Sequence, residues 1–362
     1  MIDLRSDTLT LPTPAMRRAM ADAIVGDDVY GEDPTVRRLE EHAAQLLGKD
    51  EGCFMPSGTM ANLASILAWT PRGGRVLVGD SSDAYFYEAG GASVLGGAVY
   101  APLPNQPDGT ILPEHLERQF LDTDDPQFAL VSLICLENTQ CQCGGAVLPL
   151  DYQRDVHSLA RAHGVAVHLD GARIFNAAVA MGRPPAELTQ YADTVQFCLS
   201  KGLCAPVGSV VVGPREALAR VRRLRKMLGG GMRQAGVIAA AGLVALTEMV
   251  DRLAEDHANA ARLAAGLAGL PGLDVRPPVT NIVIFDIVDG RFDRPGLIRA
   301  VGQAGVAVGE IGTDWIRAVT YAGVGPQDVD RAVDIIGRVL RGSAPEPPGR
   351  PAGADSRPVT GA

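Results

Sequence analysis

The sequence predicts an α/β protein, with a large, mainly parallel sheet wrapped by helices and a small α+β domain after it. Three observations carry that prediction. From residue 11 to about 212, apolar runs of strand length alternate with helical stretches, as in a parallel sheet covered on both faces. From 233 to about 267, an alanine-rich amphipathic stretch reads as one long helix or two consecutive ones. Beyond it, shorter strands and helices alternate again. Taken in order, the strand candidates of the large unit are 52–55, 75–78, 128–136, 165–169, 194–199 and 209–212, with helices including 59–69, 152–163 and 173–181 between them. The C-terminal unit has strands near 282–285, 307–308 and 317–320, and helices at 295–304 and 327–340. This divides the chain into an N-terminal arm (1–15), a large domain (16–245), a small domain (246–341) and a disordered tail (342–362), whose proline, glycine and alanine leave almost nothing to bury. No internal repeat is visible.

With 362 residues and 46% hydrophobic content, the chain can bury a large core. A formal charge of -9 argues against nonspecific binding to nucleic acid or anionic membranes, which needs basic patches. The one basic run, 220–226, reads as a solvated helix face. No run of apolar residues is long enough to span a bilayer, and the start MIDLRSDT is polar too early for a signal peptide, so a cytoplasmic protein is expected. The six cysteines form no paired CxxC knuckles, and a reducing compartment makes structural disulfides unexpected. Cys141 and Cys143 form a CxC that could hold a soft metal, but no histidine lies nearby in sequence to complete a tetrahedral set, so no metal is expected.

The chemistry is concentrated in two segments, HLDGAR (168–173) and FCLSKG (197–202), which bring Asp170 and Lys201 to the ends of two predicted strands. Lys201 is one of three lysines among 33 basic residues. It follows an apolar strand, whereas Lys49 and Lys226 lie in helix-like, charged surroundings. A catalytic lysine must spend part of its time as a neutral amine, which a desolvated pocket favours. Taken singly, Asp170 reads as a strand-end helix cap and Lys201 as a loop lysine reaching solvent. Their order in one α/β pattern, behind a glycine-containing turn that opens a helix, points instead to pyridoxal 5'-phosphate (PLP). That turn is PSGTMAN (56–62). Its Ser57, Gly58 and Thr59 would present backbone N–H groups and hydroxyls to a dianionic phosphate at a helix N-terminus, a bland cap being the alternative. Asp170 would keep the ring nitrogen protonated so that the ring accepts electrons. A substrate carboxylate calls for arginine, with Arg173 and Arg317 the best placed and Arg5 and Arg233 competing. His168, two residues before Asp170 and on the same strand face, contacts either the cofactor region or a structural hydrogen-bond partner. His257 reads as structural, and Glu88 is assigned no chemical step.

A series of segments then extends the pattern: DLRSDTLT (3–10), GDDVYGEDPT (26–35), PSGTMAN, YEAGGA (87–92), LENT (136–139), HLDGARIFNA, CLSKGL, PVGS (206–209), GGGMRQAG (229–236) and EDHANA (255–260). Across roughly residues 1–340 the chain resembles the low-specificity L-threonine aldolases, PLP enzymes of the aspartate-aminotransferase-like fold (fold type I). The resemblance implies that Lys201 forms the Schiff base with the cofactor and Asp170 pairs with the pyridinium nitrogen. It implies that Gly58 and Thr59 hold the phosphate, with Arg233 reaching it from a neighbouring subunit. Ser6, Arg173 and Arg317 would bind the substrate carboxylate and Tyr30 would line the pocket. It further implies a homodimer or homotetramer with active sites at the subunit interface, and cleavage of a β-hydroxy-α-amino acid to an aldehyde and glycine.

The resemblance fails at two positions. Where such enzymes have a histidine ahead of YEAGG and another after ENT, this chain has Asp83 and Gln140, and the second segment continues as QCQCGG, about two residues longer than usual. This places Cys141 and Cys143 at the expected pocket rim. A carboxylate offers the ring no aromatic face, and glutamine is no base near neutral pH. Asp83 therefore takes the hydroxyl proton itself or through water, or pairs with a cationic substrate group, or the scaffold performs another PLP reaction such as β-elimination or carbon–sulfur cleavage. Alternatively, Asp83 faces solvent and Tyr85 or Phe86 covers the ring. A cofactor-binding relative without activity is the non-enzyme reading, and retention of Lys201, Asp170, Arg173 and Arg317 together argues against it.

Overall fold

A computed structural model describes residues 1–121, 124–312 and 315–342, so all but the first residue of the expected C-terminal tail lies outside the described residues. The chain starts with β1 (Ile2–Asp3) and then builds a sheet from β2 (Glu51–Met55), β3 (Arg75–Gly79), β4 (Val99–Leu103), β5 (Val131–Glu137), β6 (Ala166–Asp170), β7 (Thr194–Cys198) and β8 (Ser209–Gly213). The seven strands run in the order β2-β8-β7-β6-β5-β3-β4. Those from β4 to β7 are parallel, and β8 is antiparallel to both of its neighbours. Every residue of β6, β7 and β8 is buried, as a sheet covered on both faces demands.

The predicted strands recur within a few residues of their expected bounds. Strand β4 escaped the sequence reading because VYAPL sits at the sheet edge, mostly uncovered and interrupted by Pro102, so it lacks an apolar run. The alanine-rich stretch resolves into two helices, Gly236–Glu248 and Leu253–Ala268. The basic run differs from the solvated face expected of it. Arg225 is buried, pairing with Asp28 at 2.9 Å and donating to the Phe54 carbonyl at 2.8 Å.

The remaining strands are β9 (Leu273–Val275), β10 (Ile282–Ile287), β11 (Val306–Ala307), β12 (Gly309–Ile311) and β13 (Trp315–Val319). Four of them form an antiparallel sheet, β12-β13-β10-β9, with a core of its own that includes Val283, Phe285, Ile316 and Ile336. The N-terminal segment is tied into this layer: β1 pairs with β11, and the Leu4 carbonyl accepts from the Val319 N–H at 2.7 Å. Residues just after β1 are thereby held where the two sheets meet.

Candidate active site

Four helices matter for the site's surroundings: α1 (Pro14–Ala21), α2 (Pro34–Leu46), α3 (Gly58–Trp69) and the short α4 (Asp83–Phe86). The site forms around the C-terminal ends of β5, β6 and β7, where α3 starts. The Ser57 hydroxyl caps α3 by accepting from the Met60 N–H at 3.2 Å. The N–H groups of Gly58 and Thr59 belong to the first turn, which a helix cannot satisfy itself. Gly58 is required for packing: a Cβ there would lie 3.0 Å from Cys198 Sγ, so its bare face lets α3 sit close against β7.

One turn further along α3, Asn62 Nδ2 donates to Asp170 Oδ2 at 2.7 Å and to Glu88 Oε1 at 2.9 Å. Asp170 Oδ1 accepts from Gln196 Nε2 at 2.5 Å and from the Ala172 N–H at 3.0 Å. Three donors thus fix the carboxylate at the end of β6. Behind it the network continues through Asn62 Oδ1 to His168 Nε2 at 3.1 Å, from His168 Nδ1 to the Thr194 hydroxyl at 3.0 Å, and to Trp69 Nε1 at 3.1 Å from the same hydroxyl. Burial lowers the pKa of the His168 ring to about 4, so it is neutral at physiological pH. Because Asn62 spends its amide N–H groups on two carboxylates, His168 Nε2 carries the proton toward Asn62 Oδ1. Both ring nitrogens are used, so His168 supports Asp170 from behind and leaves the cofactor face to others. His257 likewise contacts a neighbour, Asn176 Nδ2, at 3.2 Å.

Lys201 lies in the loop after β7, its carbonyl accepting from the Thr10 hydroxyl at 2.8 Å. Burial works against its ammonium, but Cys198, Asp83 and Asp7 outweigh burial and Arg173, and its pKa moves up from the ordinary lysine value. Enclosure does disfavour the ammonium, as expected, and the acids facing the site offset it.

At the opposite end, Arg173 is buried and forms a two-pronged pair with Asp7, Nε to Oδ2 and Nη2 to Oδ1, each at 2.7 Å. Burial opposes the Asp7 carboxylate, but Arg173 wins and brings its pKa down to about 2. Only Nη1 of Arg173 remains for the site, and it meets Cys141 Sγ at 3.6 Å. Arg317, on β13, also sends Nη1 to Cys141 Sγ, at 3.5 Å, and Nη2 to the Arg5 carbonyl at 3.3 Å. Ser6 caps the following turn through its hydroxyl, next to Asp7. The competing arginines are held elsewhere: Arg5 by Asp3 at 2.6 Å and Arg233 by Asp27 at 2.8 Å. Tyr30 is exposed, and its ring lies under the Arg233 guanidinium. Within one chain these two residues pair with each other on the surface.

Asp83 opens α4, and its N–H donates to Glu137 Oε2 at 2.9 Å, while Glu137 Oε1 accepts from the Cys141 N–H at 2.8 Å. Burial, then Asp83 and Asp170, push the Glu137 carboxyl well above the usual carboxylate range, which keeps it protonated. Asp83 is half-buried and acts electrostatically on Lys201 and Arg173, so it faces the site. Phe86, by contrast, is exposed, and Tyr85 packs edge-on against Tyr100. Gln140 does not face a substrate. It is fully buried, with Nε2 donating to the Ser81 carbonyl at 3.0 Å and Oε1 accepting from the Cys143 N–H at 2.7 Å. The two cysteines diverge as well: Cys143 Sγ turns to the Gln106 carbonyl at 3.3 Å, while Cys141 enters the arginine cluster. Three residues of the site were not singled out from sequence: Asn62, Asp7 and Glu137. Each had a signal, since Asn62 is one turn from Gly58, Asp7 follows Ser6, and Glu137 ends β5 directly opposite Asp170.

Residues 3–289 match the Beta-eliminating lyase family. The low specificity L-threonine aldolase of Escherichia coli O157:H7 is 50% identical over 287 residues, covering 79% of this chain and 85% of that protein. The chain belongs to the low-specificity L-threonine aldolase family. The low-specificity L-threonine aldolase 1 of Arabidopsis thaliana is 44% identical over 333 residues, 91% of this chain and 93% of that protein. Among solved structures, the threonine aldolase of Leishmania major superposes with a TM-score of 0.79 at 20% identity, covering 94% of this chain and all of that one, which establishes the shared PLP fold type I architecture. In this family member, Asp83 occupies a place facing Lys201, and Gln140 has been absorbed into the scaffold. Among the described residues no helix is long and apolar enough to cross a membrane, no cluster of three or more metal-binding side chains occurs, and all six cysteines are free thiols.

Proposed function

We propose that this chain cleaves a β-hydroxy-α-amino acid of the threonine or allo-threonine type into an aldehyde and glycine, using PLP. The observation that carries the reading is the gathering at neighbouring strand ends of Lys201 after β7, a carboxylate fixed by three donors at Asp170 on β6, and a guanidinium cluster at Arg317 and Arg173, the latter acting electrostatically on Lys201. The residues suit PLP: the α3 N-terminus for its phosphate, Asp170 for its ring nitrogen, and Lys201 for its aldehyde. Bound there, the cofactor supplies an electron sink for the pair released when Cα–Cβ breaks.

The chain's own residues do the rest. Arg317, with the remaining Nη1 of Arg173, takes the substrate carboxylate and thereby sets which bond at Cα is exposed to cleavage. Asp7 holds Arg173 in place, and Ser6 stands beside it as a further donor to the carboxylate. Asp83 accepts the β-hydroxyl proton, directly or through one water. Protonated Glu137 fixes the Asp83 and Cys141 backbones without adding charge. Arg233 and Tyr30 face a neighbouring subunit's site in a homodimer or homotetramer, and the protein works in the cytoplasm. The exposed Tyr30–Arg233 pair supports the subunit contact.

The test is a coupled assay of the PLP-loaded protein with L-threonine and L-allo-threonine, following aldehyde and glycine together. Equimolar release abolished by Lys201→Ala is expected. Pyruvate or another oxo acid without glycine would replace the reading with a different PLP lyase on the same scaffold.

A further inference from the structure

Arg173 and Arg317 each bring one Nη1 to the same atom, Cys141 Sγ, at 3.6 and 3.5 Å. The thiol is 3% exposed. Sulfur is a weak acceptor, so two cationic donors, one from the buried Arg173 and one from the half-buried Arg317, are left under-served by it. Arg317 Nε, also buried, has no partner among the described residues. The cluster is therefore short of acceptor capacity that a carboxylate would supply, with a thiol standing at the point where the donors converge.

The position of that thiol is fixed. Glu137 Oε1 accepts from the Cys141 N–H at 2.8 Å, and Gln140 clamps the loop from both ends of its amide. On its other side Cys141 packs with Ile282, Ile284, Ile311 and Val319. The next residue, Gln142, accepts from the Gly312 N–H at 3.0 Å, so the QCQCGG loop links the two sheets beside Arg317. Burial foremost keeps the pKa of the Cys141 thiol raised, which leaves the cluster's positive charge uncancelled.

We propose that Cys141 is a positioning residue of the carboxylate subsite, a neutral placeholder that holds the Arg173 and Arg317 donors converged and yields them to the substrate's carboxylate. This rests on the aldolase reading only in placing the amino-acid carboxylate at Arg317. The chemistry required of the ligand is an unmodified α-carboxylate, and an α-amide or ester would gain nothing from the cluster.

The test uses the PLP-loaded holoenzyme and glycine as the probe, with binding read from the change in cofactor absorbance and from calorimetry. Cys141→Ala is expected to weaken glycine binding about five- to tenfold, with the cofactor spectrum unchanged and kcat little altered. Cys141→Ser, which keeps a small donor and acceptor, recovers most of the affinity. Cys141→Asp supplies a built-in carboxylate and should abolish glycine binding while the cofactor stays bound. A second measurement changes the ligand: glycinamide, which lacks the carboxylate, should bind the wild type and Cys141→Ala equally. Unaltered glycine affinity in both the Ala and Asp variants, or the same loss of affinity for glycinamide as for glycine in Cys141→Ala, overturns the proposal. Glycine binding without aldehyde release from any β-hydroxy amino acid leaves Cys141's role standing and removes the aldolase reading. A holoenzyme that does not bind glycine removes the subsite and Cys141's part in it.

Discussion

The two ends of the site are finished to different degrees. At the Asp170 end, the carboxylate, Asn62, His168, Thr194 and Trp69 form a continuous chain of hydrogen bonds in which donors meet acceptors. At the Arg317 end, two guanidinium groups share one sulfur and a buried Nε is unpaired. A buried polar network that is fully paired rigidifies its surroundings, whereas an underpaired one stores binding free energy for whatever completes it. At the Asp170 end folding leaves Gln196 Oε1 as the one unpaired atom around a carboxylate held by three donors, whereas at the Arg317 end the charged donors themselves lack a full acceptor and are completed only by a ligand.

The largest expected effect probes the residue between the two ends. Lys201→Ala should lower aldehyde release by a factor on the order of 10³ or more and remove the visible absorbance of the cofactor's Schiff base. Borohydride labelling at Lys49 or Lys226 in the wild-type protein would sink the assignment. Asp83→Asn should cost about 10²-fold in kcat with KM nearly unchanged, because the group acts on the proton transfer. A fall in affinity with kcat preserved would make Asp83 a binding residue instead. Asp83→His should raise threonine cleavage if a histidine's ring is what the site lacks, which the same assay reads.

The contrast between the ends is tested directly by Arg317→Ala against Asp170→Asn. The first should raise KM about 10- to 100-fold with the cofactor retained. The second sets an amide against the Asn62 and Gln196 donors, so it should weaken cofactor retention and lower Tm together. Equal effects of the two on cofactor retention would erase the distinction. Asp7→Ala leaves Arg173 buried without its partner and should destabilise the fold by about 3–5 kcal/mol in denaturant unfolding, since a broken buried pair costs more than an absent one.

The smallest effect is a pH dependence. Burial, then Asp170, raise the Glu88 carboxyl to about 9, against Asn62's opposing hydrogen bond. The folded chain then holds this proton through a range where the unfolded chain has lost it, so the stabilisation is complete below the ordinary glutamate value and disappears as pH rises through about 9. Glu88→Gln copies the protonated form. Its Tm should match the wild type near pH 5 and exceed it by several degrees near pH 9, while parallel Tm curves would show that Glu88 ionises freely in the fold.

Much of the site was legible because its backbone supports are local. Strand–Asp170, strand–Lys201 and the Ser57-Gly58-Thr59 turn are each written in a few consecutive residues, and parallel strands bring their C-terminal ends to one edge. The runs at β6, β7 and β8 were equally plain because strands buried on both faces must be apolar throughout. The edge strand β4 was not, since a half-exposed strand needs no such run.

The sequence by itself determined which elements form, which loop carries the lysine and which strand end carries the carboxylate. Tertiary structure decided where polar side chains spend their hydrogen bonds. It turned Gln140 inward to Ser81 and Cys143, committed most of Arg173 to Asp7, and sent Cys141 and Cys143 to different neighbours although one residue separates them. The physical reason is range. Backbone conformation follows from near neighbours, whereas the pairing of a buried charge depends on groups brought together from across the chain, as Asp7 and Arg173 are from 166 positions apart.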